Sequence, residues 1–136
     1  MSKGNTTEND VLLHLFQAAA LSWAANTHLY VALHTGDPGE GGSQTTSEAT
    51  YTGYARVAVI RTSSGWTVSG NTAGNTAAIE FPECSGGSDT LTHVSIGTAT
   101  SGAGQIVYSG ALNASRAVSS GIQPRFAVGG LTASED

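Results

Sequence analysis

The sequence predicts a mainly β fold, a β-sandwich or jelly-roll carrying one N-terminal helix, and three observations point to it. Short stretches of alternating apolar residues recur from residue 28 to residue 128, the period-2 pattern of half-buried strands. Clusters of Gly, Ser, Thr and Asn separate them, with 18 glycines in the chain, as the turns of an all-β fold require. Only one segment, near the N-terminus, carries a helical period.

Residues 1–6 read as a flexible tail, and the helix is predicted over residues 7–25. Thr7 is the expected N-cap, with Asp10 three positions on as an acidic variant of the capping box. Val11, Leu15, Ala19 and Trp23 recur every four residues, with Leu12, Phe16 and Ala20 beside them. That spacing makes one apolar stripe, expected to pack on the sheets. Glu8 and Asp10 fall in the first turn, where the helix dipole favours negative charge.

The period then changes: Leu29, Val31 and Leu33 alternate with His28, Tyr30, Ala32 and His34, predicting a strand that stops at Thr35-Gly-Asp-Pro-Gly39. A polar run through Glu48 reads as a long loop. Tyr54 to Arg61 is the next strand, with Tyr54, Arg56 and Ala58 on its outer face, and Trp66 to Ser69 follows. The tandem Gly70-Asn-Thr-Ala73 and Gly74-Asn-Thr-Ala77 reads as consecutive turns. Further strands are expected at Ala78 to Phe81, Leu91 to Thr98, Gln105 to Leu112 and Ile122 to Val128. Pro124 has no N–H to give to a ladder, which places the last of them at an edge. The domain is expected over residues 7–130, with 131–136 as a C-terminal tail.

At 136 residues the chain has the length of one domain. Charged residues make up 11% and the net charge is −5, and a surface poor in Lys and Glu resembles an interface. Five Lys and Arg residues cannot build the basic stripe that a phosphate backbone demands, so nucleic acid is not an expected ligand. No apolar run suits a signal peptide or a membrane span, which predicts a protein made in a cytoplasm and not held in a membrane. Cys84 stands alone, which excludes an internal disulfide.

Catalytic signatures do not emerge: there is no nucleophile elbow, P-loop, zinc-binding helix or calcium loop. His28 and His34 share a strand face with Asp37 in the turn beyond, but six residues of strand separate the two histidines by roughly 20 Å, too far for one ion. Glu80 and Glu83 flank Phe81-Pro82 without any feature that builds a cleft around them. Cys84 has no nearby histidine to activate it. The sequence thus predicts no enzyme, no cofactor and no metal.

Two halves of the chain carry recognisable words. Leu29-Tyr-Val-Ala-Leu-His-Thr-Gly-Asp-Pro-Gly39 with Tyr51-Thr-Gly-Tyr-Ala-Arg56 forms the first. Thr92-His-Val-Ser-Ile-Gly97, Gly104-Gln-Ile-Val-Tyr-Ser-Gly110 and Ser115-Arg-Ala-Val118 form the second. Together, over about residues 10 to 130, they resemble a family of small virion structural proteins of tailed bacteriophages. The resemblance implies a virion part and brings no catalytic residues. Because the length supplies neither fibrous repeat nor stalk, the leading expectation is a capsid decoration or cement protein on the head exterior. Its expected partners are the major capsid protein and copies of itself, as a dimer or trimer. The alternative is a tail or tail-fibre component, with receptor or sugar binding through aromatics such as Tyr30, Tyr51 and Tyr54. Candidate interface residues are Tyr51, Tyr54, Arg56, Arg116 and Arg125, of the types enriched at interface centres. Arg56 and Arg125 are expected on outer strand faces with little packing.

Overall fold

A computed structural model describes residues 1–136. The chain is mainly β, with a single N-terminal helix α1 (Asn5–Gln17) and antiparallel sheets arranged as in a β-sandwich. Ten strands follow in order: β1 (Ser2–Lys3), β2 (His28–His34), β3 (Val57–Ile60), β4 (Trp66–Ser69), β5 (Thr72–Asn75), β6 (Ile79–Glu80), β7 (Ser88–Gly97), β8 (Ile106–Ser119), β9 (Arg125–Phe126) and β10 (Thr132–Ser134). They form a five-stranded sheet β1-β8-β7-β2-β3, a three-stranded sheet β10-β5-β4 and a two-stranded ribbon β6-β9.

The core lies where the sheets meet. Val31, Leu33, Leu91, Val94 and Ile96 come from the large sheet, Ile79 from the ribbon and Leu131 from the approach to β10. Phe81, Tyr51, Val118, Ala49 and Cys84 complete the cluster, and Trp66 of the three-stranded sheet packs against it. The strand read at β2 is present, but its burial does not alternate: His28 to Tyr30 are half-buried and Val31 to His34 are all buried. The polar loop explains why: it folds back over the sheet, pairing Ala49 N–H with the Leu33 carbonyl (2.9 Å) and Thr35 N–H with that of Ser47 (2.8 Å).

His34 is therefore an interior group. Its Nδ1 lies 2.8 Å from the Thr46 carbonyl and its Nε2 2.8 Å from Ser95 Oγ, a set that suits the neutral ring with Nδ1–H donating and Nε2 accepting. Burial holds its pKa below the ordinary 6.5. The unfolded chain takes up this proton below pH 6.5 while the native state does not, so stability is full above 6.5 and falls as the pH drops from there toward the native pKa. Urea midpoints measured from about pH 7.5 to about pH 5 should fall, and His34→Asn should flatten that slope.

The helix departs from expectation at both ends. It starts after Gly4, and Thr7, rather than capping it, is buried and donates its hydroxyl to the Ile106 carbonyl at 2.7 Å. It stops at Ala18, whose φ of 54° closes the turn, with Ala19 N–H reaching the Leu13 carbonyl at 3.2 Å. Residues 19–27 instead form a turn clasped by Arg61. The Arg61 guanidinium lies 4.9 Å from the Trp23 ring centroid and donates to the Trp23, Ala24 and Asn26 carbonyls.

The predicted stripe is split accordingly. Phe16 is 81% exposed, with Leu12 and Leu15 beside it. Phe16→Ala should therefore change the stability of the isolated chain by no more than about 0.5 kcal/mol, as read from a chemical melt. A buried stripe would have cost several times more.

The segments read as tails both contain strands. Ser2 and Lys3 pair with Ser109 and Tyr108, and Thr132 to Ser134 pair with Gly74 to Thr72. Lys3 Nζ then meets Glu135 Oε2 at 2.6 Å, and Tyr108 donates to the same carboxylate. These hydrogen bonds hold the Glu135 carboxyl below its usual range.

Candidate functional site

The five candidate interface residues separate into two groups. Tyr51, Tyr54 and Arg56 are drawn inward, which corrects the outer-face reading, because β3 begins only at Val57 and Arg56 belongs to the preceding loop. The Arg56 side chain is 3% exposed. Its Nε and Nη2 meet the two Glu48 oxygens at 2.6 and 2.8 Å, a bidentate pair. The guanidinium also donates to the Ala99 and Gly102 carbonyls at 2.9 and 2.6 Å. Thus one side chain ties the long loop to the β7–β8 connection.

Tyr54 joins the same knot, donating to Glu48 Oε1 at 2.9 Å and accepting from Leu33 N–H at 3.1 Å. Burial pushes its phenol pKa well up. Tyr51 is 3% exposed and donates to the Pro82 carbonyl at 2.7 Å; burial pushes it up to about 12. Gln44, fully buried, bonds the Tyr30 carbonyl and Ala99 N–H at 3.1 and 3.0 Å. It fills the space over Gly97 and Gly104, where a Cβ on either glycine would collide with it. Sequence reasoning missed Glu48 and Gln44. The available signal was the scarcity of charge: in a chain with 11% charged residues, an acid eight positions before an arginine has few other partners.

Arg116 and Arg125 do stay outside, and they line one groove of about 450 Å³. Leu33, Phe81, Leu91 and Leu131, each at most 2% exposed, lie beneath its floor, and Phe126 and Pro124 form one wall. The other wall is an irregular stretch of β8. Between Leu91 and His93 the β7 strand advances two residues while β8 advances five, from Arg116 back to Ala111. Three extra residues of β8 therefore bulge outward. Such bulges re-aim side chains at sheet rims, and this one carries Asn113 and Ala114 into the groove wall.

A row of aromatic rings joins the two regions. Tyr51 and Tyr54 meet edge to face at 5.4 Å, Tyr54 stacks on Phe81 at 6.5 Å, and Phe81 meets Phe126 edge to face at 6.3 Å. The row begins at the Arg56 knot and ends in the groove wall.

The groups considered for chemistry are apart. No set of three or more His, Cys, Asp or Glu gathers at one point. Cys84 is buried, its Sγ 3.2 Å from the Gly86 carbonyl, and Glu80 and Glu83 are exposed.

Fold and site together define a β-sandwich protein whose polar contacts hold its loops and which leaves one groove open. A protein-family model described as Podophage GP4 fiber I protein gp80 matches residues 2–134. The chain belongs to that family, and with it to the small structural proteins of tailed-phage virions. No curated protein matches the chain.

Proposed function

We propose that this protein is a non-catalytic component of the phage tail fibre, in place of the capsid cement role that low charge, short length and the lack of a fibrous repeat favour. The observation that carries this reading is the match to a podophage fibre family across residues 2–134. The length argument loses force because a fibre can be assembled from several short proteins, each contributing one folded unit. Its partners are then other copies of itself and neighbouring tail proteins, not the major capsid protein. The open groove and the exposed Leu12, Leu15 and Phe16 are surfaces suited to such contacts.

The test is location and copy number in purified virions. Antibody labelling should mark the tail, and quantitative mass spectrometry should find copies in step with other tail proteins. Labelling of the head, with copies in step with the shell protein, would overturn the fibre reading in favour of decoration.

A further inference from the structure

We infer that copies of this chain join by seating the exposed face of α1 from one copy in the arginine groove of the next. The inference deepens the fibre reading by naming the contact between copies, but its geometry holds whichever part of the virion the protein occupies.

The groove is the one place where positive charge is left over. Of the five lysine and arginine side chains, Lys3 is paired with Glu135 and Arg56 with Glu48. Arg61 is spent on three carbonyls and the Trp23 ring. Arg116 and Arg125 alone have no ion pair or hydrogen bond, and both line the same groove. Glu80 stands opposite Arg125 in the β6–β9 ladder but makes no ion pair with it. In a molecule of net charge −5, two arginines without an ion pair, beside the exposed Met1 and the half-buried Leu112 and Phe126, select an acidic and apolar occupant.

The helix presents that combination. Glu8, Leu12, Leu15 and Phe16 fall at i, i+4, i+7 and i+8, on one face. Leu12, Leu15 and Phe16 are 55, 68 and 81% exposed, and Glu8 is exposed without a partner. The opposite face is anchored: Thr7 bonds Ile106, while Gln105 bonds Thr7 and Asp10 at 2.8 and 3.0 Å. The apolar face therefore points away from the sheet that holds the helix. A groove of about 450 Å³ is pocket-sized and narrower than a helix about 10 Å across. It takes the Phe16 and Leu side chains and leaves the backbone at the rim, as in helix-in-groove recognition. Glu8, at the acidic end of the stripe, is then placed to meet the arginines.

Such a contact joins two different patches and so predicts complementation. The full-length protein should exceed the mass of one chain in analytical ultracentrifugation at high micromolar concentration, and added salt should lower that mass by screening the ion pairs. Two variants, Leu12→Ser with Phe16→Ser and Arg116→Glu with Arg125→Glu, should each sediment as monomers with unchanged circular dichroism and melting temperature. Mixed in equal amounts, they should recover a dimer, because one intact helix face and one intact groove remain. Glu8→Arg should restore association to Arg116→Glu. A wild type that stays monomeric, a groove variant that keeps the wild-type mass, or a mixture that stays monomeric would each overturn the contact. A monomer found on tails would sink this contact and spare the fibre reading, whereas an oligomer with this contact found on heads would do the reverse.

Discussion

Arg56→Ala should destabilise the protein by about 3–5 kcal/mol, the range for breaking a buried ion pair by removing one partner, and lower Tm by roughly 10–20 °C for a domain of this size. The reasoning rests on what stays behind. Glu48 keeps a carboxylate in a largely enclosed site with only the Tyr54 hydroxyl to support it, the Ala99 carbonyl loses its guanidinium donor, and the Gly102 carbonyl keeps only Gly104 N–H. Arg56→Lys should recover only part of the loss, since an ammonium cannot reproduce the two-pronged pairing. Glu48→Gln should cost less than Arg56→Ala, because the amide oxygen still accepts from the guanidinium. The double variant should cost less than the two single losses added together, as a shared network dictates. Urea titrations monitored by tryptophan fluorescence provide the check, and a midpoint unmoved by Arg56→Ala would show that the knot does not hold the loops.

Phe81→Ala should cost a similar amount, about 3–5 kcal/mol, through an unfilled cavity. Phe81 is 0% exposed and lies between Tyr54 and Phe126, so neither neighbour can close the gap without giving up its own position. Phe81→Leu keeps most of the volume and loses two ring contacts worth about 0.5–1.5 kcal/mol each, so it should fall clearly between wild type and Phe81→Ala in the same melts. Because Phe81 lies beneath the groove and packs against Phe126 in its wall, the alanine variant should weaken association between copies beyond its effect on folding.

The fold class was legible because β2, β4, β7 and the first part of β8 carry their own alternation, and turn residues separate them. The helix start and stop were not, since Ala18 has no stop signal of its own and the apolar pattern runs on through Trp23 into a turn that Arg61 holds from afar. Ser2–Lys3 and Thr132–Ser134 pair with strands distant in sequence, so no local pattern announces them. Arg56 followed the alternation of Tyr54 and Ala58 on paper, yet it precedes the strand and turns inward to Glu48. Arg116 and Arg125 were legible as exposed arginines, but their meeting in one groove depends on a bulge that leaves no trace in composition or period. The virion family was readable in short sequence words, whereas the place within the virion depends on neighbours that lie outside the chain.

The anchoring of α1 on β8 also sets a schedule for the growing chain. Thr7 cannot find the Ile106 carbonyl, 99 residues away, until most of the protein has been made. At a synthesis rate of about 5–20 residues per second, that interval is roughly 5–20 s. Throughout it, Leu12, Leu15 and Phe16 belong to a segment that has no sheet to hold it. The helix face is thus made long before the groove, whose lining runs to Thr132, so through that interval a growing chain has only finished copies to dock on.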